Sequence, residues 1–439
     1  MAPDLKELLG TADGGPVAPP DVDAIDGRAR RLTRRRAVTV GGVAALLLVI
    51  ALGIAGPVTS LRAPMVGEPS PPPREPMEHD VEVGRTTGPP RWTTALPIEG
   101  FGAFGSGSQV AGNTERVFVA AGYTASAAAV VALERADGEV AWRTELDGAA
   151  FVLAATEELL VAHEPDRVVA LDAVTGDVVW EHALPVRYRA VSATVQDQTL
   201  YLVTGAGNEG DTSPPRAQAL DLADGQVRWT STLAADTDPQ WTPPAIVDDL
   251  LLVAATPDNP QVETGNRVHA LRIVDGVVAW ERDLGGRQGF SDRATAVTDG
   301  RFHVSAQGVG VVTLEVANGT VVHTIEDRGL LGVAPDGDAL YVTDVGERAV
   351  VRAVDPPTGA SLQGWEPWAL ADDAFEVRVL GTELLLPSTT SLVAVDPSTG
   401  VPRWRHTHET PAYEVLVLDG LLVVANEASE IVATPLPPD

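Results

Sequence analysis

The sequence predicts an all-β protein: an eight-bladed β-propeller of four-stranded antiparallel blades, with seven blades as the fallback. Two observations carry this. A small residue, a turn glycine and an indole recur at constant offsets through most of the chain. One further copy of that unit is divided between the two ends of the β-rich region.

The unit is clearest at 168–184, VVALDAVTGDVVWEHAL. VVALD reads as one strand and DVVWEHAL as the next, with Thr175-Gly176 in a tight turn. The turn requires a positive φ, which glycine adopts without steric cost. Side chains alternate along a strand, so Val178 and Trp180 share one face and Val179 takes the other. Aligned on Gly138, Gly176, Gly225, Gly276, Gly319, Gly359 and Gly400, the other positions fall into register. Six residues earlier stand Ala132, Ala170, Ala219, Ala270, Thr313, Ala353 and Ala394. Four residues later stand Trp142, Trp180, Trp229, Trp280, His323, Gln363 and Trp404. Asp, Asn or Thr always precedes the glycine, as such turns favour.

The divided copy begins at Thr87-Gly88 with Trp92 four residues on, but no comparable strand precedes it. EIVATPL (430–436) has the missing strand, with Ala433 in the small position. Each hairpin is preceded by two further apolar runs, such as AAFVLAAT (149–156) and LLVAH (159–163). Four strands and roughly 44 residues per unit match the period of a propeller blade. Building one blade from both termini closes the ring and removes two open sheet edges.

The pattern A-x-D-x-x-T-G-x-x-x-W, as Ala170, Asp172, Thr175, Gly176 and Trp180, resembles the tryptophan-docking motif of pyrroloquinoline-quinone (PQQ)-type propellers. The resemblance covers about four fifths of the chain. It implies that Trp92, Trp142, Trp180, Trp229, Trp280 and Trp404 dock between blades. Each would pack on the alanine of its own repeat and on the turn of the next, at Gly88, Gly138, Gly176, Gly225, Gly276, Gly319, Gly359 or Gly400. The family contains quinoprotein dehydrogenases and also non-catalytic scaffolds, such as the propeller lipoprotein of the outer-membrane protein assembly machinery. This chain resembles the scaffold branch more. In the dehydrogenases the quinone lies between a Trp and a vicinal-cysteine ring, beside a Ca²⁺ with Glu and Asn ligands and a catalytic Asp. This chain has no cysteine, and no Glu, Asn and Asp set matches those ligand positions. No catalytic residue, cofactor or metal is therefore expected, with PQQ and Ca²⁺ as the alternative.

Other chemistry is sparse. There is no G-x-S-x-G, no H-E-x-x-H and no phosphate-binding loop. His406-Thr407-His408 puts two imidazoles on one face of a strand, half a metal site, though a solvated strand end is the expectation. His323 reads as a core substitute for the indole. The acidic loops 207–215 and 257–266 contain Ca²⁺-type ligands without EF-hand spacing and read as surface insertions.

Charge and hydropathy set the surroundings. The net charge is −30, unsuited to nucleic acid. Six arginines fall between Arg28 and Arg36, immediately before the apolar run 37–55. Nineteen helical residues would span roughly 28 Å, close to a bilayer's hydrocarbon core. Arginines on the N-terminal flank place that side in the cytoplasm. The expected organisation is a mostly disordered cytoplasmic tail over 1–36 and a transmembrane signal-anchor helix over 37–56. A Pro-rich extracytoplasmic stalk over 57–90 and a propeller over 91–439 follow. A cleaved export signal is the competing reading of 37–56.

Links from one blade's last strand to the next blade's first line one propeller face. Here they contain PVRYR (185–189), DPQW (238–241), RQGFSDR (287–293) and HETPAY (408–413). Arg, Tyr and Trp are enriched at binding hot spots. Arg187, Tyr188, Arg189, Trp241, Arg287, Phe290 and Arg293 are therefore the candidate binding rim, with arginines merely paired to nearby carboxylates as the competing reading. The function expected is a membrane-anchored, monomeric, non-catalytic scaffold for a protein, peptide or glycan in the cell envelope. A quinoprotein oxidoreductase and an extracytoplasmic sensor are the alternatives.

Overall fold

Blade 2 shows why the chain forms these elements. Its strands are Phe151–Ala155, Leu159–Glu164, Arg167–Asp172 and Val178–Ala183. The second and third are almost wholly buried, so they are apolar without alternation except at their ends, at His163, Glu164, Arg167 and Asp172. The fourth is exposed along most of its length and buries Trp180. Inner strands lie between neighbouring blades, whereas the outer strand meets a neighbour on one side only.

The computed structural model describes residues 76–77 and 83–437, apart from 84, 97–109, 122–127, 149–150, 186–187, 207–213, 235–236, 240–242, 258–265, 287–289, 307, 327, 335, 345–349, 371–377 and 381–382. Residues 73–439 form one compact unit. The expected tail (1–36) and membrane helix (37–56) lie outside the described residues. Among the described residues no helix is long and apolar enough to cross a membrane.

Eight antiparallel sheets follow in chain order, and the first strands of most neighbouring blades adjoin around the centre. Blades 1 to 7 span 110–146, 151–183, 188–232, 237–285, 290–325, 328–369 and 378–407. Blade 4 divides its innermost strand into Thr237–Pro239 and Ala245–Val247, both paired with Leu250–Pro257. Blade 6 has an outer strand of only Trp368–Ala369. Blade 8 combines Ala412–Leu418, Leu421–Asn426 and Glu430–Pro435 with Trp92–Ala95 from the other end of the chain. Trp92 stands opposite Ala433, so the divided unit is one blade.

The same pairing repeats around the ring. Ala132 faces Trp142, Ala170 faces Trp180, Ala219 faces Trp229, Ala270 faces Trp280 and Ala394 faces Trp404, and Thr313 faces His323. In all six the register slips at the next residue. Such bulges increase the local twist of the strand.

Little of the stalk assigned to 57–90 is described, and several of the residues that are pair with the propeller. Met77 forms a parallel bridge with Trp368, and Thr86 forms one with Arg405. Met77 N–H donates to Pro367 O (2.7 Å), and Ala369 N–H donates to Met77 O (2.9 Å). Thr87 N–H donates to Arg405 O (3.1 Å), and Arg91 N–H to Ala433 O (2.7 Å). The described residues of this strap pair with the outer strands of blades 6 and 7 and then enter blade 8.

The turn glycines supply a stability test. Gly176 has φ +77°, and a Cβ there would lie 2.6 Å from the Trp142 ring. Gly176→Ala is expected to cost about 3 kcal/mol through left-handed strain and overpacking. Nothing lies within 4 Å of a Cβ on Gly88. Gly88→Ala should therefore stay within about 0.5 kcal/mol of the parent. Urea unfolding of both variants checks the contrast.

Candidate binding face

The scaffold under the face is a ring of docked indoles. Trp92 Nε1 donates to Arg135 O (3.0 Å), Trp142 to Ala173 O (3.1 Å) and Trp180 to Leu222 O (2.8 Å). Trp229 donates to Ile273 O (2.8 Å) and Trp280 to Val316 O (2.7 Å). Each acceptor belongs to the turn region of the following blade, and each ring lies against that blade's turn glycine. A second bond, two residues beyond the indole, is a feature sequence reasoning missed. Thr94 and Thr144 hydroxyls donate to Gly138 O (2.7 Å) and Gly176 O (2.6 Å), and Arg282 Nε donates to Gly319 O (2.7 Å). The signal was a polar residue at that offset in an outer strand.

Three blades depart from the pattern. In blade 5, His323 lies beside Gly359, and its Nε2 is 3.3 Å from Thr313 Oγ1. In blade 6, Gln363 does not take the indole's role. Trp365 and Trp368, two and five residues later, donate to Pro397 O (2.9 Å) and Gly400 O (2.6 Å) of blade 7. In blade 7, Trp404 donates to Glu383 Oε1 of its own blade (2.6 Å) rather than to a turn at Gly88.

Of the candidate rim, Arg187, Trp241 and Arg287 lie outside the described residues. Phe290 and Arg293 fall in Phe290–Thr298, the innermost strand of blade 5. Tyr188 and Arg189 open Tyr188–Gln196, the innermost strand of blade 3, on the same face two blades away. Tyr188 requires a correction: its side chain is not an open contact. It is 6% exposed and packs in the seam between blades 2 and 3. Its hydroxyl donates to Pro214 O (2.8 Å), and the Arg216 guanidinium lies 4.6 Å from its ring centroid.

Behind Arg189 lies a polar cluster in blade 2. His163 is buried and stacks on Phe151, with ring centroids 6.1 Å apart. Among the described residues neither of its ring nitrogens has a hydrogen-bond partner. Burial, and then the positive charge of Arg189, lower its pKa to about 4. Fully buried Glu164 accepts from Asp147 N–H (2.8 Å) and pairs with Arg167, which also reaches Asp147 (3.0 Å).

His406 and His408 share a face as expected, with ring centroids 4.9 Å apart. They do not form a solvated strand end. His406 is 8% exposed, and its Nδ1 lies 2.6 Å from Thr87 Oγ1 of the strap. Among the described residues no three His, Asp or Glu side chains gather as metal ligands. Most of the two acidic loops, 207–213 and 258–265, lies outside the described residues.

A bound quinone needs a stacking indole and a cation site. All eight described indoles are engaged in the seams, six of them by hydrogen bonds to the next blade's turn or, for Trp92, to that of blade 1. Trp368 and Trp404 are held by Gly400 O and Glu383. The chain has no cysteine for a vicinal ring, and among the described residues no ligand cluster gathers beside an indole.

A family model described as outer membrane protein assembly factor BamB matches residues 78–154 and 126–365. The chain belongs to that family. Its fold resembles BamB from Moraxella catarrhalis, at 15% identity over 78% of this chain and 98% of that one, with a TM-score of 0.56. It also resembles the quinohemoprotein alcohol dehydrogenase ADHIIG from Pseudomonas putida HK5, at 12% identity over 80% and 76%, with a TM-score of 0.60. The computationally designed Ika8 protein aligns at 12% identity over 80% and 100%, with a TM-score of 0.56. No curated protein sequence matches the chain. The family thus includes a protein named for assembly, while a redox enzyme shares its architecture.

The buried imidazoles make stability depend on pH. His163, His303 and His408 have pKa values lowered to about 4, in each case mainly by burial. Unfolded, they take up protons near pH 6.5, where the folded protein does not. Stability is therefore full above pH 6.5 and falls as pH drops from 6.5 to 4. For His163 and His303 the loss is on the order of 2–3 kcal/mol each. Urea midpoints at pH 7 and pH 4.5 should show the fall, and His163→Phe should reduce it.

Proposed function

We propose that this protein is a non-catalytic binding and scaffolding propeller for a protein partner in the cell envelope. Residues 37–56 would hold it at the membrane, with the propeller on the extracytoplasmic side. The observation that carries this reading is the engagement of every described indole in the blade seams. Those eight indoles serve to fix the ring, which supports a structural rather than a cofactor-stacking role for them. What then varies from blade to blade is the sequence of the interblade links, which contain Arg187, Arg189, Arg287 and Arg293 on a strongly acidic chain. Guanidinium groups in such links would favour an acidic or carbonyl-rich protein surface, through bidentate hydrogen bonds.

Crosslinking in native envelopes, followed by capture of the identified partner, tests the reading. Changing Arg187, Arg189 and Arg293 together to Ala should weaken capture about tenfold or more, with an unchanged thermal midpoint. Unchanged capture would remove the rim. Adding PQQ and Ca²⁺ to the purified protein should leave alcohols and sugars unoxidised in a dye-reduction assay; turnover would establish the oxidoreductase instead.

A further inference from the structure

The outer edges of the blades fall into two sets. Two residues after the turn glycine, blades 1 to 5 carry Val140, Val178, Val227, Val278 and Val321. These are 53, 49, 44, 41 and 43% exposed. At the same position blades 6, 7 and 8 carry Ser361, Pro402 and Pro90. The second set contains the blades the strap crosses: Met77 pairs with blade 6, Thr86 with blade 7, and Arg91 bonds into blade 8. Among the described residues no other segment pairs with the outer strands of blades 1 to 5.

An outermost strand leaves a row of backbone N–H and C=O groups without strand partners, and folded proteins usually blunt such edges with proline or cover them. Here three edges are blunted or covered, and five keep an exposed β-branched residue. The strap shows what these edges accept. It adds in parallel, through a pair of main-chain hydrogen bonds at each of blades 6 and 7. In blades 1, 2 and 4 exposed carboxylates outnumber arginines along the uncovered edge: Glu139 and Glu145 beside Arg143, Asp177 and Glu181, and Glu281 and Asp283 beside Arg282.

We propose that the outer strands of blades 1 to 5 are a docking edge for an extended segment of a partner protein, one that alternates apolar and basic residues. Its main chain would pair as the strap does, its apolar side chains would cover the valines, and its basic side chains would meet the flanking carboxylates. A second copy of this chain would bring the same acidic edge and be repelled. This surface is the perimeter of the disc, apart from the arginine face, and the proposal stands independently of that face.

The test uses the full-length protein in detergent and a fluorescein-labelled peptide of about seven residues alternating Val and Lys. Anisotropy above a micelle-only blank should saturate. Three peptides should bind about tenfold weaker or less: a Val–Glu peptide, a Ser–Lys peptide, and a Val–Lys peptide N-methylated along its pairing edge. Changing all five valines to Lys should give a similar loss, with circular dichroism confirming the fold. The rim arginine variants should leave peptide binding unchanged. Equal binding of the N-methylated or Ser–Lys peptide, or no binding of the Val–Lys peptide, overturns the proposal, whether or not the five-fold variant folds.

Discussion

The structure depends on one contact, an indole of one blade set against the turn of the next. The ring nitrogen donates to a turn carbonyl, as Trp180 does to Leu222 O, while the ring covers a glycine that cannot carry a side chain. A four-stranded blade has two apolar faces and cannot bury both alone. Docking its outer strand to its neighbour buries them in sequence around the ring. The small residue opposite each indole follows from the same contact, because Ala170 leaves room where a larger side chain would displace Trp180. Apolar burial supplies most of the stabilisation, and the hydrogen bond selects the angle between blades.

The ring is least regular from blade 5 to blade 8. Between blades 5 and 6 an imidazole replaces the indole and extends a buried polar chain. Thr298 Oγ1 lies 2.7 Å from His303 Nε2, and His303 Nδ1 lies 2.9 Å from Thr313 Oγ1, which also reaches His323. The chain stops at His323, whose other ring nitrogen, Nδ1, is buried without a partner among the described residues, a cost that the indole of the other seams avoids by bonding a turn carbonyl. Between blades 7 and 8 there is no intact turn to dock on, since blade 8 is built from both ends of the chain. The strap fills that place, with Thr87 meeting His406 where other blades bond a turn carbonyl.

The propeller was largely legible in the sequence because its signal is local and repeated. Gly176 and Trp180 are four residues apart, so steric need and register are visible without knowing the fold. The docking indoles of blade 6, Trp365 and Trp368, were not legible because its outer strand is cut to two residues, which moves them beyond the fixed offset. Tyr188 was misjudged because residue type and loop position do not state burial. Its hydroxyl reaches Pro214, twenty-six residues away, and that pairing exists only once blade 3 is formed.

The sequence by itself determined the repeat, the number of blades and the sharing of the last blade by both ends. Each of these rests on spacing within a few residues or on a count of copies. Only the tertiary structure decided where the segment before Trp92 lies, which histidines are buried, and which blade edges remain open among the described residues. Those properties depend on backbone groups and surfaces brought together from distant parts of the chain. No pattern of residue types encodes whether such a surface is covered.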